Sequence, residues 1–180
     1  MSGEPASASL VSEGISVITS IEFIPAHAND LSSPAQWLRR GIQDSPTEEF
    51  SSAVANILGQ VTKPARTEQW GAFWATQSIA GHLRAVGLCS YKTEPNSLRE
   101  VEIAYYTFPH REGSGVATSM ARELTARALP HVALVIAHTL PVENASSKVL
   151  RRCGFEQAGE VIDPEDGLVW RWQRPTIAGR

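Results

Sequence analysis

At 180 residues, 42% of them hydrophobic, the chain can bury one self-sufficient core, since about 150 residues already remove roughly 70% of their extended surface from water. Its 16 Lys and Arg against 19 Asp and Glu give a formal charge of −3, which argues against the basic field that non-specific nucleic-acid binding needs. The two cysteines, Cys89 and Cys153, form neither a disulfide framework nor a metal-ligand spacing, and no run approaches the roughly 20 apolar residues that span a bilayer; the expectation is a cytoplasmic protein with no metal, membrane or nucleic-acid partner.

In chain order, residues 1–13 carry Ser, Ala and Gly without a basic start or an apolar core, so they read as a mobile tail rather than a signal peptide, and residues 14–180 as a single domain. Residues 17–24 suit a first strand, closed by Pro25. The segment 29–61 predicts two helices, one within 34–42 and one opened by Pro46 with Phe50, Val54, Ile57 and Leu58 on one face. Residues 70–76 and 83–91 predict consecutive strands around a turn at Ala80 and Gly81, with Trp70 and Trp74 on one strand face, and a polar loop over 93–98 leads onward.

The stretch 100–118 is the centre of the chain. Residues 101–107 are β-branched and aromatic, as a pleated strand prefers, and Pro109 stops it. From Val116 the apolar residues Met120, Leu124 and Ala128 recur every fourth position, the stripe of an amphipathic helix that Pro130 ends. Between them Gly113 and Gly115 allow the backbone to approach a ligand, and the free N–H groups of a helix start favour an anion such as phosphate. Residues 132–137 read as a strand covered on both faces, ending at His138; Asn144 or Ser146 can cap a following helix, and Gly154 can terminate it. Residues 157–162 and 168–172 flank the hairpin signal Pro164-Glu165-Asp166-Gly167. The predicted order is β-α-α-β-β-β-α-β-α-β-β, with no internal repeat.

The run Glu112-Gly113-Ser114-Gly115-Val116-Ala117 resembles the Q/R-x-x-G-x-G/A signature of the GNAT acetyltransferases, and Asn144 through Ser147 to Gly154-Phe155 resembles their N-x-x-S…GF tail motif. The likeness covers residues 17–173, is nearest to the branch that includes ribosomal-protein N-terminal acetyltransferases, and implies an α/β fold with a mixed, mostly antiparallel sheet of about seven strands and helices on both faces. It also implies acetyl-CoA as donor, with the pyrophosphate on the backbone of Glu112, Gly113, Ser114, Gly115, Val116 and Ala117, and Arg111 and His110 beside it. The pantetheine arm would meet backbone groups of Tyr105, Tyr106 and Thr107, one of which would also serve the oxyanion, and Asn144 and Ser147 of the tail motif. Three departures stand out: Glu112 replaces Gln or Arg; Glu143 falls where the motif's Asn aligns when counted back from Gly154; and Leu150 occupies the place of the tyrosine that protonates the leaving thiolate in many relatives.

The implied reaction passes the acetyl group directly to a primary amine of a small molecule or a protein N-terminus. Glu102, on the strand face of Ala104 and Tyr106, is the first candidate base, and His138, whose ordinary pKa is about 6.5, the second. Either is equally readable as a structural group, Glu102 paired with a basic side chain and His138 closing a strand. Trp70 and Trp74 can pack the core or line an acceptor pocket, and Cys153 reads as packing. Two rivals are a coenzyme-binding module without turnover and a dinucleotide-binding oxidoreductase; the latter lacks the third glycine, where Thr118 stands. A P-loop is excluded by the missing Gly-Lys-Ser/Thr, and a homodimer is left open.

Overall fold

The computed structural model describes residues 20–27, 30, 67–164 and 166–176. The tail and the two helices predicted within 29–61 lie outside these. Seven strands form one sheet: β1 (Glu22–Ala26), β2 (Ala72–Ile79), β3 (His82–Tyr91), β4 (Glu100–Thr107), β5 (Leu134–Thr139), β6 (Glu156–Asp163) and β7 (Gly167–Pro175). Their spatial order is β1-β2-β3-β4-β5-β7-β6. Every neighbouring pair is antiparallel except β4 with β5. Two helices, α1 (Val116–Ala128) and α2 (Ala145–Arg152), supply the crossover from β4 to β5 and the link from β5 to β6. This is the mostly antiparallel α/β sheet expected.

Alternation along the strands makes two cores. On one face Phe73, Ala75, Tyr91, Val101, Ile103, Val135, Ala137 and Trp172 meet Val116, Met120, Leu124 and Ala128 of α1 and Val149 and Leu150 of α2. Both described helices cover this face. On the other, Ala72, Trp74, Leu88 and Phe108 cluster with Ala26, and Tyr106 packs against them. The fourfold spacing of the apolar residues in α1 gives it a stripe that is wholly removed from water, which drives its docking far more than its intrinsic propensity does. Tyr91 fixes the seat by donating from its hydroxyl to the Leu124 carbonyl at 2.6 Å.

Two local expectations change. Pro25 lies inside β1, opposite Phe73, rather than after it; β1 is the edge of the sheet, where a residue without an N–H is tolerated. Trp70 belongs to a short 3-10 turn (Glu68–Trp70) before β2, so it does not share a strand face with Trp74. It packs edge-on to Tyr91 at 5.0 Å in the helix-side core, whereas Trp74 lies in the opposite core and donates from Nε1 to Asp30 at 2.8 Å. Both tryptophans are core residues.

Gly87 sets how closely α1 lies on β3 and β4. A methyl group there would stand 2.7 Å from the Tyr106 carbonyl oxygen and 2.9 Å from the Met120 sulfur. The Met120 end can move; the β4 backbone cannot without shifting the strand. Gly87→Ala should therefore destabilise the protein by about 1–3 kcal/mol, the usual cost of overpacking, read as a lower urea midpoint at unchanged slope.

Candidate functional site

The one parallel pairing is short. β4 and β5 are in register only at Glu100 with Leu134, Val101 with Val135 and Glu102 with Ile136. Beyond Glu102, β4 stays with β3 through the pairs from Ile103–Tyr91 to Thr107–Gly87, and β5 stays with β7 as far as Thr139–Trp170. Each strand follows its antiparallel partner, and the two part. The gap is a cavity of about 260 Å³ whose walls include Ile103, Ala104 and Tyr105 on one side and Ala137, His138 and Thr139 on the other.

The side chains divide by the period of the strand. Tyr105 faces α2: its hydroxyl stands 3.5 Å from the Ser146 carbonyl, at the limit of a hydrogen bond, and it lines the cavity. Tyr106 faces the opposite core, with its ring 6.2 Å from Phe108, and takes no part in the cavity wall. Thr107 closes the strand with a buried Oγ1 that has no hydrogen-bond partner.

The chain then makes a 3-10 turn (Pro109–Arg111) and four further turn residues before α1. The Arg111 carbonyl receives both the Ser114 amide, at 3.3 Å, and the Ser114 hydroxyl, at 2.5 Å. Gly113 and Gly115 have φ of +75° and +84°, and the space where a Cβ would stand is open at both. Gly115 is the N-cap of α1. The N–H groups of Val116, Ala117 and Thr118, in the first turn, have no carbonyl four residues back within the helix and form an electropositive rim. Glu112 is exposed on this loop, and Arg111 keeps a buried Nε without a partner. An open glycine turn, spare helix-start donors and two unsatisfied buried polar atoms fit a polyanionic group with a hydrogen-bonding arm, as in a coenzyme A thioester.

The tail motif builds the start of α2. Asn144 caps α2, accepting from the Ser147 amide at 2.9 Å, while the Ser147 hydroxyl accepts from the Asn144 amide at 3.0 Å, a reciprocal capping box. Both side chains are engaged in holding the helix start. Glu143, which stands where the motif's Asn aligns, accepts from Arg151 through both guanidinium nitrogens and from the Ser147 hydroxyl; the Arg151 bond holds its carboxyl down to about 2. The helix ends as the sequence predicts: Gly154 turns at φ +77° and Phe155 donates back to the Leu150 carbonyl.

On the other side of the gap lies a cluster of charges. Glu102 Oε1 is 3.0 Å from Lys92 Nζ and 3.1 Å from His138 Nδ1, and Asp163 Oδ2 is 4.0 Å from the same imidazole nitrogen. Burial pushes the Glu102 carboxyl up, but the His138 hydrogen bond and the Lys92 ammonium outweigh it and leave it below the ordinary carboxylate value. Burial likewise depresses Lys92, and Glu102 more than restores it, so the pair is ionic. Lys92, Glu102, His138 and Asp166 all line the cavity. Both candidate bases thus stand at one point, each as the other's partner.

Lys92 and the hairpin aspartates went unseen in the sequence reading. Lys92 is placed by the strand register: Ser90–Ala104 continued by two residues sets Lys92 opposite Glu102. Asp163 and Asp166 are brought near only by the folding of the β6–β7 hairpin. Cys153 is buried, and burial raises its thiol against the opposing effect of Arg122 and Arg174, as a packing residue requires.

Comparison with known proteins agrees with this geometry. The sequence matches the acetyltransferase (GNAT) domain family over residues 22–156. The chain therefore belongs to the GNAT acetyltransferases and is an acetyl-CoA-dependent acyltransferase. Among solved structures it is similar to the ribosomal-protein-S5-alanine acetyltransferase from Vibrio fischeri, at 14% identity and TM-score 0.62 over 89% of this chain and 95% of that one. The microcin C7 self-immunity acetyltransferase MccE, solved with acetyl-CoA and AMP, matches at 13% identity and TM-score 0.62 over 87% and 92%. An aminoglycoside acetyltransferase, AAC(6′)-Ib, solved with coenzyme A, matches at 16% identity and TM-score 0.56 over 87% and 95%. No curated protein matches the sequence. The mixed sheet also removes the dinucleotide-binding rival, which needs a doubly wound parallel sheet. Among the described residues no helix is long and apolar enough to cross a membrane.

The ionic cluster has a pH signature. A carboxylate whose folded pKa is depressed stabilises the fold above its unfolded value, about 4.3 for Glu, and that contribution is lost as pH falls through the folded value. The stability difference between wild type and Glu102→Gln, from urea unfolding, should be present at pH 5, shrink below about pH 4.3 and disappear in stronger acid. An undiminished difference at pH 3 would show that the charge on Glu102 is not what Lys92 and His138 hold.

Proposed function

We propose that this chain transfers the acetyl group of acetyl-CoA directly to a primary amine, of a small molecule or of a protein N-terminus, at the gap between β4 and β5. The observation that carries the proposal is the continuity of the site: the glycine turn and the start of α1 lie at the end of β4, the unpaired edge of β4 runs back along the cavity, and the charged cluster forms its far wall. The bound coenzyme supplies an acetyl thioester. Backbone donors from Glu112 to Ala117 hold its pyrophosphate, with Arg111 as the nearest guanidinium, and the free edge at Tyr105, Tyr106 and Thr107 pairs with the arm and the carbonyl oxygen. Asn144 and Ser147 contribute through the helix start they hold in place rather than through free side chains. The Glu102–His138 pair receives the proton that an alkyl ammonium must lose before it can attack.

The acceptor enters a wall carrying Glu102 and Asp166 beside Lys92. Carboxylates there suit a positively charged amine, and spermidine, an N-terminal alanine peptide and an aminoglycoside are the natural first panel, given the acetyltransferases to which the fold is similar.

Release of free coenzyme A, measured across that panel, tests the reaction; no release with any primary amine overturns it. Binding is checked separately by calorimetry. Acetyl-CoA should bind and NAD should not, Gly115→Glu should abolish binding by placing a carboxylate among the loop amides, and Glu112→Gln should bind as well as wild type or better, because a negative charge leaves the phosphate site. NAD binding tighter than acetyl-CoA would sink the assignment.

A further inference from the structure

Glu102 and His138 are presented by the sequence as rivals for one role, and their geometry makes them complementary. A carboxylate kept ionised beside an ammonium has only acceptor oxygens, so the 3.1 Å contact to His138 Nδ1 requires the hydrogen to sit on Nδ1. In the neutral imidazole that leaves Nε2 as the lone-pair nitrogen. Nε2 is buried and has no hydrogen-bond partner among the described residues, while the ring it belongs to lines the 260 Å³ cavity. An acceptor nitrogen held dry, without a donor, in a ring on a cavity wall is the kind of unsatisfied group that a ligand's N–H completes. Glu102, by contrast, already has the Lys92 ammonium and the imidazole on the same Oε1 atom.

We propose that His138 Nε2 is the atom that accepts the proton of the acceptor ammonium, and that Glu102 is a positioning residue that fixes the Nδ1–H tautomer and stabilises the imidazolium once it forms. The proposal rests on the acetyl-transfer reading and adds the proton's path to it. The ammonium gives one proton to Nε2, its freed nitrogen bonds to the thioester carbon, and a second N–H proton leaves as the C–S bond breaks, so that the sulfur departs as a thiol. His138 then returns its proton to water. The balance is one amide, one thiol and one released proton from one ammonium and one thioester. Lys92 keeps Glu102 ionised throughout.

The charged groups around the ring are Glu102 from β4, Lys92 after β3, Asp163 at 4.0 Å from the β6–β7 hairpin, Asp166 on the same cavity wall, and Arg171, the β7 residue paired with His138 in register and bound through its side chain to Glu100. Of these Glu102 alone is hydrogen-bonded to the imidazole among the described residues.

The experiment has a structural arm and a kinetic arm. In the structural arm, long-range ¹⁵N–¹H spectra of the protein without substrate, above the imidazole's titration, should show His138 with protonated Nδ1 and bare Nε2; Glu102→Leu should lose that preference. Protonated Nε2 in the wild type overturns the pairing whatever the turnover. In the kinetic arm, using whichever of spermidine, kanamycin or an Ala-initiated peptide is acetylated fastest, His138→Gln should lower kcat about a hundredfold, the range of general-base loss. Glu102→Gln should lower it about tenfold, as loss of a supporting carboxylate does. The double variant should match His138→Gln, with KM for acetyl-CoA unchanged in all three. A crippled Glu102→Gln beside an active His138→Gln, or losses that simply multiply, overturns the proposal. The expected tautomer in a wild type that acetylates none of the amines refutes the acetyl-transfer reading instead.

Discussion

The structure depends on one interruption: a parallel ladder that stops after three residue pairs. A parallel pair inside a sheet is ordinarily covered and continuous, and its neighbours are antiparallel pairs of greater extent. Here β4 is bound along its length to β3, and β5 to β7, so the right-handed twist of the two antiparallel portions opens the junction between them beyond Glu102. The opening exposes polar backbone on β4 in the middle of the molecule, where such groups ordinarily pair. A ligand with a chain of amides can satisfy them, and the walls of the opening bring together residues from three strands, a helix and the turns beside them.

Around that opening the two halves of the chemistry are built by different physics. The side proposed for the coenzyme is backbone geometry: glycines in the left-handed region, a helix start and an open space in front of them. The side proposed for the acceptor is side-chain electrostatics, with Lys92, Glu102, His138 and Asp163 gathered in a partly desolvated cluster. Removing charges from water is costly, so such a cluster persists only where its members satisfy one another, and the imidazole Nε2 is the one nitrogen of the ring left to a partner from outside.

Much of this was legible in the residues. The fourfold spacing of Val116, Met120, Leu124 and Ala128 placed the start of α1, which ends at Ala128, two residues before Pro130, and the turn residues before it placed the glycine loop. Period-two alternation separated Tyr105 from Tyr106 and set Glu102 with Tyr106, all as found. Where the reading slipped, a neighbour decided. Trp70 looked like strand because tryptophan favours strands, yet the chain is still turning there, and Tyr91 draws the indole into the helix-side core. Asn144 and Ser147 matched a coenzyme-contacting motif, and their spacing of three is also that of the capping box they form at the start of α2.

The sequence by itself determined most elements among the described residues and the glycine loop before α1, because helix periodicity, strand alternation and glycine turns are local properties that a few residues encode. Tertiary structure alone decided that Glu102 and His138 are one unit. They are 36 residues apart, on strands whose pairing register cannot be read from either, and each has a bland explanation alone. The contact that joins them, 3.1 Å between Glu102 Oε1 and His138 Nδ1, lies between those strands, and the lysine that shares the oxygen is the first residue beyond a third. Charges act through space, and no local pattern records which distant groups the fold will bring together.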